Sequence, residues 1–134
     1  MALHKSLLAS VADKGSRLRE VRKDLLRQAP GQTQRWFQGP DGCDLFLWYD
    51  GHGALAQVQA TFEGRVVEWT PRDGPRTGRL VAFNPLRPLE DRGKLEFDPR
   101  PEAETLQLAR VLLESARVDE LTMMLVRKQL GLRG

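Results

Sequence analysis

Three strand-like runs, separated by two tight-turn signals, occupy the stretch from Cys43 to Trp69 and constrain the fold more than any other feature of this chain. The turn signals are Gly51-His52-Gly53 and Glu63-Gly64, and the runs beside them are rich in aromatic, β-branched and aliphatic residues. Because tight turns join neighbouring antiparallel strands, the stretch predicts a three-stranded meander at the centre of the fold.

The turns also predict which residues share a face of the sheet. If each loop holds two residues, Gly51-His52 and Glu63-Gly64, then Asp44 and Glu68 both face Gln59 and form a polar row across the three strands. One face is then apolar and forms the core: Cys43, Leu45, Leu47, Tyr49, Ala54, Ala56, Val58, Ala60, Phe62, Val67 and Trp69. The other face is mixed: Asp44, Phe46, Trp48, Leu55, Gln57, Gln59, Thr61, Val66, Glu68 and Thr70. A slip of one residue in either turn would exchange the faces.

Both ends of the chain have helical periodicity. Apolar residues from Leu3 to Ala29 recur at helical spacing, with Lys14 in the one missing position of the stripe. Either one helix runs through Gly15, or the chain breaks there and Ser16 caps a second helix. The positions of this stripe are Leu7, Val11, Leu18, Val21 and Leu25.

The C-terminal part predicts two helices. Pro101 suits a first helical position, Asp119 a second N-cap, and Gly131 a helix end. The apolar positions are Leu106, Ala109, Leu112, Leu113 and Ala116 in the first helix, and Leu121, Met124, Leu125 and Leu130 in the second.

The expected fold is therefore α+β, with one domain over residues 1–134. An antiparallel meander of three to five strands is packed on one face by the N-terminal helix and the C-terminal helices. Gln34 to Gln38 and Arg79 to Phe83 are candidate additional strands, and the basic stretch from Thr70 to Gly78 is expected to be a loop. The predicted divisions are 1–30 helical, 34–83 sheet, 84–100 irregular and 101–131 helical. The irregular division is predicted because Asn84 to Pro101 holds four prolines.

Composition limits the functional classes. The net charge is +3 and 29% of residues are charged, which suits a globular protein better than a strongly basic nucleic-acid binder. No apolar run is long enough to span a membrane, and no secretory signal is recognisable, so no membrane partner is expected. The single cysteine, Cys43, suits a reducing cytoplasm.

No catalytic, metal or cofactor motif stands out. Asp44 and Glu68 could form a general acid/base pair with Gln59 orienting a substrate, but no nucleophile or oxyanion donor accompanies them. His52 lies in a turn, and Cys43 lies on the predicted core face as a buried thiol. No catalytic residue, metal or cofactor is therefore predicted, and the chain is not expected to be an enzyme.

The mixed face carries the functional hypothesis. Either a helix of the chain covers Phe46 and Trp48, or a partner protein does. We expect a non-catalytic cytoplasmic interaction module, regulatory or an adaptor, that uses this face and the arginine-rich loop after it. The expected partner-binding residues are Trp36, Asp44, Phe46, Trp48, Gln59, Glu68, Arg72 and Arg76.

Three further possibilities remain open at this point. Trp36, Phe46 and Trp48 could stack on the bases of a single-stranded nucleic acid, with phosphates bound by Arg65, Arg72, Arg76 and Arg79. A small enzyme of unknown reaction is the third functional reading. A homodimer could also form through the stripe of the N-terminal helix.

A set of residues in the central stretch resembles a family of small bacterial proteins of uncharacterised function. They are Arg35-Trp36-Phe37, Asp44-Leu45-Phe46-Leu47-Trp48, Asp50, Gln59 and Glu68-Trp69. The resemblance implies a small cytoplasmic α+β protein and no known reaction. Members of that family carry a histidine-containing stretch after the second tryptophan, where this chain reads Pro71 to Gly78 without histidine. A function that depends on those histidines is therefore not expected here.

Overall fold

The computed structural model describes residues 4–22, 31–81 and 94–132, which form one antiparallel sheet and three helices. The strands are β1 (Arg19–Glu20), β2 (Thr33–Gln38), β3 (Asp44–Tyr49), β4 (Leu55–Phe62), β5 (Arg65–Thr70), β6 (Gly74–Val81) and β7 (Lys94–Phe97). The helices are α1 (Lys5–Ser16), α2 (Ala103–Ser115) and α3 (Glu120–Gln129). Strands neighbour one another in chain order from β1 to β7. The α+β class is confirmed, but the described sheet has seven strands instead of three to five.

The additional strands lie at the two ends of the sheet. Helix α1 ends at Ser16, and the chain then turns so that Leu18 is buried and β1 pairs with β2. The predicted helix over 1–30 is therefore wrong for residues 17–22, and residues 23–30 lie outside the described ranges. Strand β7 occupies Lys94–Phe97, within the stretch predicted to be irregular. Residues 94–97 contain no proline, so the prolines on either side of them do not prevent this strand.

Strand β6 begins at Gly74, inside the stretch predicted to be a loop. Pro75 sits opposite Trp69, and Gly78 lies so close to β7 that a Cβ atom there would be 2.3 Å from the carbonyl oxygen of Glu96. Proline and glycine usually indicate a turn in a sequence. Here Pro75 lies within a strand, and Gly78 allows β7 to approach β6 closely. Only residues 71–73 form the turn.

All three helices contribute to one core on one face of the sheet. The core cluster contains Val11 of α1, Leu108 and Leu112 of α2, and Met123 and Val126 of α3. Its strand residues are Phe37, Leu45, Leu47, Val58, Ala60, Phe62, Val67 and Trp69, which share one face by alternation. The predicted core face of the meander is confirmed except at Ala54, which is exposed, and Ala56, which is not part of the core cluster. Both lie at the irregular end of the β3–β4 ladder. The stripe of α1, proposed above for dimerisation, packs within the chain through Leu7, Leu8 and Val11.

Of the two central hairpins, the second has the predicted two-residue turn and the first has a longer loop. Glu63 and Gly64 both have positive φ, and Gln59 pairs with Glu68, as expected for a two-residue turn. In the first hairpin, the Asp50 carboxylate accepts hydrogen bonds from the backbone N–H groups of His52 and Ala54, at 2.8 and 3.0 Å. This Asx turn lengthens the loop.

The longer loop shifts the register between β3 and β4 by two residues. Asp44 faces Thr61 instead of Gln59, and Phe46 faces Gln59. Because side chains alternate with a period of two, a two-residue shift leaves Asp44, Phe46 and Trp48 on their predicted face. Leu55 is the exception: it pairs with Tyr49 beyond an irregularity in the ladder and packs against the core.

Lys14 interrupts the apolar stripe of α1 for a reason that the structure explains. Its ammonium group forms an ion pair with Glu63 in the turn between β4 and β5, and Ser10 donates a hydrogen bond to the same carboxylate at 2.7 Å. This pairing anchors α1 to the sheet. Hydrogen bonds from Lys14 and Ser10 hold the pKa of Glu63 below its usual range.

The buried face of α3 differs from the predicted one. Asp119 is the N-cap, as expected, and accepts a hydrogen bond from the backbone N–H of Thr122 at 3.2 Å. The residues that contact the core are Met123, Val126 and Leu130. Of the apolar positions predicted for this helix, only Leu130 is buried, and Leu121, Met124 and Leu125 are exposed.

Helices α1 and α2 lie close together at Gly15. A Cβ atom at this position would lie 2.2 Å from the backbone carbonyl oxygen of Leu112. In an exposed helix, Gly→Ala stabilises by about 1 kcal/mol. Here we expect Gly15→Ala to lower the free energy of unfolding by about 1–3 kcal/mol, as overpacking does, measured by urea titration.

The control for this prediction is Asp13→Ala, an exposed position of the same helix, which should change the free energy of unfolding by less than about 0.5 kcal/mol. A Gly15→Ala protein more stable than the wild type would show that helix propensity outweighs the contact with Leu112.

Acid should weaken the anchor of α1. The pKa of Glu63 is lower in the folded chain than in the unfolded chain, so its contribution is complete above its unfolded pKa and is lost as pH falls through its folded pKa. We expect Glu63→Gln to be less stable than the wild type at neutral pH and to lose less stability on acidification. Urea titrations at pH values from neutral to acidic measure both differences, and parallel pH profiles would contradict the assignment.

Candidate functional site

The face of the sheet turned away from the helix-lined core, here called the open face, carries a row of directly paired residues from five strands. Cross-strand pairing places these side chains next to one another in the order Trp36, Phe46, Gln59, Glu68 and Arg76. None of them belongs to the core cluster. The described helices therefore leave this face uncovered, so none of them is the cover predicted for Phe46 and Trp48. Coverage by a partner protein stays a prediction.

Three aromatic rings, hereafter the aromatic stack, dominate one end of this row. The rings of Trp36 and Phe46 are stacked at a centroid distance of 5.5 Å and an angle of 17°. Phe46 also stacks with Trp48, at 5.8 Å and 24°. Offset, near-parallel rings at these distances attract one another beyond the burial of their area. All three side chains are half-buried, so the stack remains accessible on the open face.

Polar groups border the aromatic stack. The indole N–H of Trp36 donates a hydrogen bond to the Asp44 carboxylate at 2.8 Å, which fixes the orientation of both side chains. Gln57 pairs across the strands with Trp48, and Gln59 with Phe46. Among the described residues, the amides of Gln57 and Gln59 have no hydrogen-bond partner and are half-exposed. They can donate to and accept from a ligand that lies over the rings.

At the other end of the row, the charged side chains pair with other groups of the chain. Arg76 donates to the Glu68 carboxylate at 2.7 Å, and its guanidinium lies 4.0 Å above the centre of the Phe97 ring. Val66, two residues before Glu68 on the same face, is completely buried. The accessible part of the open face therefore lies on β2, β3 and β4.

The predicted Asp44–Gln59–Glu68 row is wrong in one position. Glu68 faces Gln59, but Asp44 faces Thr61 because of the shifted hairpin register. Asp44 bonds to Trp36 and Glu68 to Arg76. The structure does not bring the two carboxylates together as an acid/base pair.

The arginines proposed for phosphate binding are mostly engaged elsewhere. Arg65 is buried on the core side, where it donates to Glu102 and Thr105 at 2.9 Å and to Glu104 at 3.2 Å. Arg79 lies 3.7 Å from Glu102. Arg76 is paired with Glu68, as described above. Only Arg72, in the turn before β6, is both exposed and free of a partner among the described residues.

The remaining residues considered for chemistry have structural roles or are solvent-exposed. Burial, with a smaller contribution from Asp44, raises the pKa of the Cys43 thiol to about 11, so it stays protonated at neutral pH. His52 is exposed in the turn after β3. Within residues 4–22, 31–81 and 94–132, no group of three histidine, cysteine, aspartate or glutamate side chains is placed to hold a metal ion.

The structure thus brings five of the eight predicted partner-binding residues together on the accessible part of the open face: Trp36, Asp44, Phe46, Trp48 and Gln59. Glu68 and Arg76 lie farther along the same row, and Arg72 lies in a turn. Gln57 was not among the predicted site residues, although its alternation with Gln59 along β4 is the sequence signal that identifies it. No membrane-spanning helix is found among the described residues.

Comparison with known proteins does not extend these observations, because no protein-family model, curated protein or solved structure matches this chain. The resemblance to a family of small bacterial proteins stays a prediction.

The stacked contact between Trp36 and Phe46 should be measurable as a coupling energy. We expect a double-mutant cycle with Trp36→Leu and Phe46→Leu to give a coupling of about 0.5–1.5 kcal/mol in the free energy of unfolding. Trp36→Leu combined with Trp48→Leu is the comparison, because no ring contact is found between these two side chains and they can couple only through Phe46, so their coupling should be smaller. Equal coupling in both cycles would contradict the pairwise stack.

Proposed function

We propose that this chain is a non-catalytic interaction module that binds a peptide segment of a partner protein across the aromatic stack. The observation that carries the proposal is the position of Trp36, Phe46 and Trp48, half-exposed on central strands that no described helix covers. Tryptophan at an accessible, rigid position is the residue type most enriched in binding hot spots. The strands beneath the rings are hydrogen-bonded on both sides, so the surface is formed before a partner arrives.

The polar border defines the chemistry of the partner. An apolar or aromatic side chain of the partner packs on the ring stack, and its backbone N–H and C=O groups bond to the amides of Gln57 and Gln59. A lysine or arginine next to that anchor meets Asp44, which has one carboxylate oxygen left after bonding to Trp36. The favoured ligand is therefore an apolar anchor beside a basic residue. A regulatory or adaptor role in the cytoplasm, where a free Cys43 is stable, fits such a module.

Nucleic-acid binding is the second candidate, and the charge distribution favours a protein partner over it. Single-strand binders surround their stacking rings with free cations. Here the accessible end of the open face carries Asp44, while Arg65, Arg76 and Arg79 are close to or paired with acidic groups of the chain. Among the described residues, the accessible part of the face lacks the local positive charge that phosphates need.

Selection from a random peptide library displayed on phage tests the proposal directly. We expect enriched peptides to share an apolar or aromatic residue next to lysine or arginine, and to bind at least about tenfold more weakly to Trp48→Ser. Asp44→Asn should relax the preference for the basic residue while keeping the anchor. The control is Leu80→Ser, which changes an exposed apolar side chain on β6 without touching the aromatic stack.

Two results would count against the proposal. One is binding that Trp48→Ser leaves unchanged while thermal unfolding shows the variant to be folded. The other is retention on single-stranded oligonucleotides that falls steeply with salt and with Arg72→Ala, which would favour the nucleic-acid reading. Affinity capture from cytoplasm, comparing the wild type with a Trp48→Ala, Arg76→Ala variant, then identifies the natural partner.

A further inference from the structure

Helix α3 has a second apolar face, which the other described parts of the chain leave exposed. Leu121, Met124 and Leu125 are 79%, 50% and 40% exposed, whereas Leu80 is the only other large hydrophobic residue found exposed among the described residues. The spacing of 121, 124 and 125, extended by 128, places these side chains on one side of the helix. The core-facing residues Met123, Val126 and Leu130 lie on the opposite side.

The charges at the two ends of this face indicate what covers it. Glu120 is exposed at the beginning of α3, and Lys128 is exposed near its end. Neither has an ion-pair partner within the described ranges. The face therefore consists of an apolar centre with an acidic group at one end and a basic group at the other.

Such an arrangement is complementary to itself when rotated by a two-fold axis. Two antiparallel copies of α3 place Glu120 level with Lys128 of the partner subunit at both ends and bring the methionine and leucine side chains together in the middle. A parallel pair would instead place like charges side by side. Antiparallel pairing also aligns the positive end of each helix dipole with the negative end of the other.

We propose that this face of α3 is a homodimerisation surface, which binds a second copy of the chain by antiparallel, two-fold symmetric helix pairing. The proposal is independent of the aromatic stack, because α3 packs on the core side of the sheet. One short helix from each copy forms a small interface, so the association is weak and depends on concentration.

Sedimentation equilibrium of the full chain between about 10 μM and about 1 mM tests the proposal, because a small interface should associate in this range. We expect a monomer–dimer equilibrium whose dissociation constant rises at least about tenfold in a Leu121→Ser, Met124→Lys variant. Leu80→Ser, at a position 48% exposed on β6, is the matched control and should leave the constant unchanged.

Charge reversal separates the antiparallel pair from non-specific association. Glu120→Lys or Lys128→Glu alone should weaken dimerisation at least about threefold, because two exposed ion pairs become two repulsive contacts. The double variant Glu120→Lys, Lys128→Glu should restore it, since the opposite charges face each other again.

Three outcomes would overturn the proposal: a monomer over the whole concentration range, a dimer that Leu121→Ser, Met124→Lys leaves intact, or a double charge reversal that does not restore the dimer. The altered side chains are exposed, so all variants should stay folded, and the charge reversals, which oppose the dipole of α3, should lower the melting temperature slightly. If a single charge reversal destabilises the fold, the double variant Glu120→Lys, Lys128→Glu still tests the proposal, because only facing opposite charges would restore the dimer.

Discussion

Side-chain alternation along the three central strands is the constraint on which the rest of this structure depends. Leu45, Leu47 and Val58 point to one side and are completely buried, while Phe46, Trp48 and Gln59 point to the other. The apolar side collects all the buried helix residues in one cluster, so every described helix packs there. The same alternation that builds the core therefore leaves the aromatic residues of β2 and β3 on a face without helices, and it is the origin of the candidate site.

Each helix is attached to the sheet by a charged contact in addition to the shared apolar core. Lys14 of α1 pairs with Glu63, and Arg65 of β5 pairs with Glu102 and Glu104 at the beginning of α2. Ion pairs of this kind contribute little net stability, but removing one partner leaves a partly buried charge unpaired.

The third charged contact attaches α3. Arg35 of β2 donates to Asp119, the N-cap of the helix, at 2.8 Å, and to Glu20 of β1 at the same distance. The hydrogen bonds that Arg35 donates to Glu20, and then to Asp119, raise the pKa of its guanidinium, which burial alone would lower. The three contacts together specify where each helix begins or sits on the sheet. They also explain why Arg35 and Arg65 are absent from the open face.

The parts of the fold that the sequence predicts are those that depend on local pattern. The turn at Glu63-Gly64, the alternating faces of β3 to β5 and the N-cap at Asp119 all follow from residues close to one another in the chain. The misplaced features depend on contacts between distant residues. Strand β1 exists because its residues pair with β2. Gly15 signals a break in the helix, but the apolar residues after it keep helical spacing, so no local signal predicts a strand there.

In the candidate site and in α3, too, local pattern predicts some features, while others depend on contacts between distant residues. Alternation identifies Phe46 and Trp48 as neighbours on one face, but only the pairing of β2 with β3 places Trp36 against Phe46. In α3, the sequence offers two apolar faces, one with Met123 and Val126 and one with Leu121 and Met124. Periodicity cannot choose between them, because both have helical spacing. The ion pair between Asp119 and Arg35 holds the start of the helix against the sheet. In this position, the face with Met123 and Val126 is the one that is buried.

The two proposed surfaces lie on opposite sides of the molecule, and this relation has a functional consequence. The aromatic stack is on the open face, and the exposed stripe of α3 is on the far side of the helical layer. Dimerisation through α3 would leave both aromatic stacks free and pointing away from each other. A weak peptide-binding surface presented twice in one particle gains apparent affinity for a partner with repeated or clustered segments, without any new contact at the site. Weak self-association would then make binding depend on the concentration of the module itself.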